Sequence, residues 1–167
     1  RVWDVATGNL LATLNGHKDT VWGCDWDSNE VLVSCSSDKT IRVWNVDKKV
    51  CERILTHSTF FRSCKALSER YILSGDADGT VCVWDRDSGE KVQEVKAQES
   101  GIFDLAVDGQ QKFAVSASKD QTLSKIELPE EVHVVNFSSQ SLVRKLCSEP
   151  QERLIFIVRH GVGKSFL

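Results

Sequence analysis

The residues closest to a recognisable chemistry stand near the end of the 167-residue chain. At 154–165 an apolar, strand-like run leads into Gly161-Val162-Gly163-Lys164-Ser165. An amine and a hydroxyl after a glycine-rich turn are what a nucleoside triphosphate and its magnesium require. The first glycine of such a loop would fall at position 158, where the chain has valine, and only Phe166 and Leu167 follow to begin a helix. A nucleotide site is therefore not expected. The histidines give no metal site either: His133 and His160 stand among apolar neighbours without a cysteine or aspartate at ligand spacing. Glu130 and Glu131 sit beside Pro129 in what reads as a surface turn, where they are expected to be a solvated pair rather than an acid–base site. No catalytic residue, metal or cofactor is expected, and the chain reads as non-enzymatic.

What positions the other polar residues is a repeat. Trp3, Trp44 and Trp84 lie 41 and 40 residues apart, and Ile126 and Phe166 continue the series at 42 and 40. Asp38, Asp78 and Asp120 keep the same beat six residues ahead. A period of 40 to 45 with a Gly-His pair early and a Trp-Asp pair late marks one four-stranded blade of a β-propeller. After Gly16-His17, β-rich runs at 21–26, 31–35, 40–44 and 50–55 alternate with turn-forming segments at 27–30, 36–39 and 47–49, an antiparallel meander. The next unit has runs at 60–61, 71–74, 80–84 and 91–95, and the third at 101–105, 112–116, 121–123 and 132–135. A blurred fourth has 142–146, 153–158 and 164–166. The predicted fold is all-β, an incomplete arc of a β-propeller with three complete four-stranded antiparallel blades and parts of two more. Residues 1–167 form one repeat region without an interdomain linker, its units ending near 4, 45, 85, 127 and 167 and the last degenerate.

Composition narrows the setting. With 41% hydrophobic and 27% charged residues the chain reads as a soluble globular protein, and no apolar run reaches the 18 residues of a membrane span. A net charge of −3 gives no general attraction to nucleic acid or to an anionic membrane. Cys24, Cys35, Cys51, Cys64, Cys82 and Cys147 include no CxxC pair and mostly fall inside apolar strand patterns. That usage fits buried thiols in a reducing, intracellular compartment, cytoplasmic or nuclear. The chain has no methionine and its first four residues already read as a blade end. It is therefore expected to be a piece of a longer chain with flanking blades.

These features resemble the WD-repeat β-propellers, over essentially the whole chain and most closely over 1–123. The resemblance implies a hydrogen-bonded tetrad in each regular blade: Trp44, Ser34, His17 and Asp38 in one, Trp84, Ser74, His57 and Asp78 in the next. An indole N–H needs an acceptor, a hydroxyl both accepts and donates, and an imidazole passes the chain on to a carboxylate. The third unit keeps Ser116 and Asp120 but has Gln98 and Ile126 for the His and Trp, and the fourth has Phe156, His160 and Phe166 at the Ser, Asp and Trp positions.

The resemblance also implies a rigid platform whose partners dock on the loops entering the first strand and joining the second to the third. The matching positions are Thr20, Trp22 and Ser37, then Phe60, Arg62 and Ala77, then Gly101, Phe103 and Lys119, with Ser141, Val143 and Arg159 continuing the series. Phe61, Trp26 and Phe113 read as packing residues. Arg62 and Lys119, on adjacent blades, are candidates to flank an acidic or phosphorylated peptide. The expected function is a non-catalytic protein–protein interaction scaffold or signalling adaptor. One alternative is the substrate-recognition arm of a ubiquitin-ligase complex, because the short first turn and the cations look like F-box/WD-repeat receptors; G-protein β-like scaffolds share much of the pattern. Another is a propeller attached to an enzyme or nucleotide-binding domain elsewhere in its chain.

Overall fold

The computed structural model of the chain describes residues 1–27 and 30–130. Strands β1 (Val2–Trp3) and β2 (Leu10–Ala12) form an antiparallel hairpin. Strands β3 (Val21–Trp26), β4 (Val31–Ser36), β5 (Thr40–Asn45) and β6 (Val50–Thr56) make a first four-stranded meander. A second meander has β7 (Phe61–Ala66), β8 (Tyr71–Asp76), β9 (Thr80–Asp85) and β10 (Lys91–Lys96). A third sheet has β11 (Ile102–Val107), β12 (Phe113–Ser118) and β13 (Leu123–Glu127). All pairings are antiparallel. The architecture is all-β, built of partial propeller blades. No helix among the described residues is long and apolar enough to cross a membrane.

Two strands differ in extent from the sequence reading. β7 runs on through Arg62, Ser63, Cys64 and Lys65, whose polarity hid it. It lies between β3 and β11, and Ser63 and Cys64 are buried there, so this strand needs no apolar alternation to be covered. β13 starts at Leu123 rather than 121, because Gln121 takes a left-handed backbone (φ 72°) that closes the preceding turn. The strand expected at 132–135, the fourth unit, and Glu131, His133, His160, Cys147, Ser141, Val143 and Arg159 lie outside the described residues, as does the glycine-rich stretch at 161–165.

Strand alternation sends successive side chains of the middle sheet to opposite neighbours. Ile72, Cys82 and Trp84 pack with Val33, Cys35, Ile41, Leu55 and Phe61 toward the first sheet. Leu73, Val81 and Val83 pack with Ile102, Leu105, Ala114 and Ile126 toward the third. Fully burying side chains of this size contributes about 1.5–3 kcal/mol each. Polar ties reinforce the stacking: Arg86 Nη1 donates to Asp27 Oδ2 at 2.6 Å, the Ala66 amide to Asp25 at 3.1 Å, and Gln93 Nε2 to the Glu127 carbonyl at 3.1 Å. The first sheet packs a described four-stranded neighbour on one face only. Trp26, read from the sequence as a packing residue, is accordingly 46% exposed, and Phe113 is half-buried beneath the Lys125 ammonium.

The first strand of each of the three larger sheets carries a bulge at the same place. The register of β3 on β4 shifts between Val21 and Gly23, of β7 on β8 between Phe61 and Ser63, and of β11 on β12 between Ile102 and Asp104. The extra residues are Trp22, Arg62 and Phe103. A bulge re-aims the side chain it carries out of the pleat.

Candidate partner-binding face

In the first sheet the sequence-derived tetrad is assembled as a relay. Trp44 Nε1–H donates to Ser34 Oγ at 2.8 Å, the Ser34 hydroxyl donates to His17 Nε2 at 2.7 Å, and His17 Nδ1–H donates to Asp38 Oδ2 at 2.9 Å. Burial opposes the charge on Asp38, but the Thr40 hydroxyl, the Lys18 N–H and His17 together hold its carboxyl well below the ordinary value of 3.8. A carboxyl depressed in the folded state stabilises fully above its unfolded pKa and loses that contribution as the pH falls through and below it. Denaturation midpoints should therefore drop as the pH is lowered below about 3.8, and Asp38→Asn should flatten that drop. Equal acid sensitivity in the two proteins would contradict this account of Asp38.

The second sheet departs from the pattern. Trp84 Nε1–H still donates to Ser74 Oγ at 2.8 Å, but His57 Nε2–H donates to Asp76 Oδ2 at 3.2 Å, not to Asp78. Asp76 is 2% exposed at the end of β8, whereas Asp78 is exposed in the turn. The first and third sheets have Ser36 and Ser118 in that register, each accepting one turn amide (Asp38 N at 3.0 Å, Asp120 N at 3.2 Å). Asp76 accepts the corresponding Asp78 amide at 2.9 Å on Oδ1 and still has Oδ2 for the imidazole. In the third sheet Gln98 replaces histidine: its Oε1 accepts from Ser116 at 2.8 Å and its Nε2 donates to Thr122.

The three bulges bring their side chains together. The Arg62 guanidinium lies 5.3 Å from the Trp22 ring centroid, 5.3 Å from Phe60 and 5.1 Å from Phe103, so rings from all three sheets surround one cation. Trp22 and Phe103 are 49% and 47% exposed, so the cluster faces solvent. Gly101 makes room for it: a Cβ there would lie 3.0 Å from Arg62 Nε and 2.9 Å from the Ala77 carbonyl oxygen. Arg62 Nε is buried without a hydrogen-bond partner, and the guanidinium joins no ion pair, among the described residues.

The remaining face positions sit on a repeated backbone clamp. Ser37 N–H donates to Thr20 O at 2.9 Å, Ala77 N–H to Phe60 O at 3.0 Å, and Lys119 N–H to Gly101 O at 3.0 Å. Each bond ties the loop before the first strand to the turn after the second. Trp22 Nε1–H is fixed by Ser37 Oγ at 2.6 Å, which orients one wall of the cluster. Trp22, Ser37, Phe60, Arg62 and Phe103 are thus in one constellation, while Thr20, Ala77 and Lys119 flank it through backbone contacts. The sequence reading missed Asp76, and a cross-strand pair on the second sheet, Cys82 and Glu94, that lies beside His57. The signal was present in the repeat, as a residue type that differs from the two sister units in the same register. The five described cysteines are free thiols, with Cys35, Cys64 and Cys82 buried, Cys51 half-buried and Cys24 exposed.

Comparison with known proteins bears on the architecture. Residues 8–45 and 49–85 match the family described as WD domain, G-beta repeat. The chain is similar to autophagy-related protein 16 of Arabidopsis thaliana, 29% identical over 122 residues covering 71% of this chain and 24% of that protein. It is similar to nuclear distribution protein nudF of Aspergillus niger, 30% over 129 residues (72% and 29%), and to apoptotic protease-activating factor 1 of Danio rerio, 31% over 125 residues (71% and 10%). The chain spans less than a third of the length of each. Such matches indicate a protein-interaction scaffold in general terms. The forty-residue repeat, the stacked four-stranded meanders and the two matched repeats agree: the chain belongs to the WD-repeat β-propeller family.

Proposed function

We propose that this chain is a non-catalytic, intracellular interaction scaffold that grips acidic or phosphorylated segments of partner proteins at the face centred on Arg62. The observation that carries the reading is the state of that arginine. Three aromatic rings hold its guanidinium in place, yet no carboxylate among the described residues neutralises it. A stacked guanidinium keeps its donor fork free for bidentate contact with a carboxylate or phosphate, and little side-chain entropy remains to be lost on binding. Exposed Trp22 and Phe103 supply the aromatic area that binding hot spots favour, and exposed Lys119 adds a second cation at the rim. Free, largely buried thiols support a reducing compartment, cytoplasmic or nuclear.

The test is charge reversal. Arg62→Glu with Lys119→Glu should strip acidic or phosphorylated proteins from the set captured from a cell lysate, with the fold verified by circular dichroism. An unchanged set would contradict the reading. Ubiquitin-ligase subunits in the captured set would make the scaffold a substrate-recognition arm, and their absence would leave it an adaptor.

A further inference from the structure

The repeat supplies its own control, because the same registers can be compared in sister sheets. In the first sheet Arg42 pairs across strands with Ile54; in the second the pair in the same register is Cys82 and Glu94. In the third, Ser124 stands in the Cys82 register. Together with Asp76 for serine, the second sheet has three departures, and all three converge on His57. A ring nitrogen of His57, the Cys82 sulfur and a Glu94 carboxylate oxygen lie within 4.8 Å of one another.

We propose that His57, Cys82 and Glu94 bind a divalent transition-metal ion of the zinc class, with Asp76 as the positioning residue. Imidazole, thiolate and carboxylate form the mixed donor set that zinc accepts, leaving one position of a tetrahedron for water or a further ligand. The tetrad chemistry leaves the histidine available. His17 uses both ring nitrogens, whereas His57 donates Nε2–H to Asp76, so its Nδ1 keeps the lone pair a metal needs. A carboxylate on the far nitrogen of a ligating histidine fixes its tautomer and raises its basicity. Bond lengths of about 2.0–2.3 Å put tetrahedral ligand atoms roughly 3.5 Å apart, so an ion would draw the three atoms inward by about an ångström. Glu94 is exposed on β10 and is the group free to move. Lys91 Nζ holds Glu94 Oε2 at 2.9 Å in an exposed ion pair, which an incoming ion displaces. Cys82 is 1% exposed, and a coordinating cation takes it as the thiolate and displaces its proton.

The test uses Co²⁺ as probe on the whole 167-residue chain, kept reduced with a phosphine rather than a thiol. The expected result is a near-ultraviolet thiolate-to-cobalt charge-transfer band that saturates at one equivalent and is displaced by Zn²⁺. It should vanish in Cys82→Ser, a residue that Ser124 shows the register tolerates, and persist when Cys24, Cys51 or Cys147 is replaced. Asp76→Ser should keep the band while weakening affinity about 10- to 100-fold, and Glu94→Ile, the first sheet's residue, should weaken it at least as much. Absence of a band, a band that survives Cys82→Ser, or affinity unchanged in both Asp76→Ser and Glu94→Ile would overturn the proposal.

Discussion

Gly79→Ala is expected to lower the unfolding free energy by about 3 kcal/mol or more, from left-handed strain of about 1–2 kcal/mol plus overpacking of about 1–3 kcal/mol. Gly79 closes the turn between β8 and β9 with φ 90°. Lys39 and Gln121 occupy the same turn position in the sister sheets with φ 66° and 72°, so a left-handed backbone alone does not demand glycine there. What sets Gly79 apart is its surroundings. An added Cβ would meet the Gln98 carbonyl oxygen and come within 2.6 Å of the Ser100 carbonyl oxygen, both rigid backbone. The Gly79 carbonyl also accepts the Ala97 and Gln98 amides at 3.0 and 3.1 Å, so the turn is docked on the segment leading into the third sheet. The methyl must push the second and third sheets apart at that point. Urea denaturation measures the loss, and Lys39→Ala, which keeps its φ and meets no such wall, should change stability by less than about 0.5 kcal/mol. Equal effects at the two positions would show that the docking contributes nothing.

Asp76→Ala is expected to cost about 2–4 kcal/mol while Asp78→Ala stays within about 0.5 kcal/mol. Asp76 is buried and accepts three hydrogen bonds: His57 Nε2–H at 3.2 Å, the Asp78 amide at 2.9 Å and the Thr80 amide at 2.8 Å. Truncation strands all three donors in a part-buried region, and each unsatisfied donor costs about 1–3 kcal/mol, less where water or relaxation reaches it. The exposed Asp78 side chain accepts none of these bonds; only its backbone is engaged, the amide by Asp76 and the carbonyl by the Lys96 ammonium. In the first sheet the order reverses. Asp38 is the histidine's partner there and Ser36 takes the turn amide, so Asp38→Ala should be the costly change. Thermal or denaturant unfolding of the three variants would settle the assignment, and a larger loss from Asp78→Ala than from Asp76→Ala would reverse it.

These two residues show how far the amino-acid order could be read. The forty-residue beat placed nearly every described strand, because tryptophan, aspartate and the turn residues recur at fixed offsets and alternation does the rest. It failed at β7, where burial from both sides frees the strand from apolar alternation. It also transferred the histidine's partner by spacing, from Asp38 to Asp78, when the deciding quantity was burial. The face residues were legible one by one, but their convergence was not. Spacing cannot show that each first strand inserts an extra residue, nor that Gly101 opens the space through which Arg62 reaches three rings. Cys82 and Glu94 were missed for a different reason: a site built across strands leaves no short motif in the chain, and only register-by-register comparison with the sister units singles them out.

The central claim is that Arg62, held by Trp22, Phe60 and Phe103, is a seat for an anionic group of a partner protein. Its most direct measurement is an NMR titration of the folded chain with degenerate peptides carrying clustered Asp and Glu or phosphoserine, following the Arg62 Nε–H and Trp22 indole N–H resonances. The account predicts saturable shifts of both, stronger for acidic than for neutral peptides, weakened by salt and absent in Arg62→Ala. Unmoved resonances at peptide concentrations that shift other parts of the surface would contradict it.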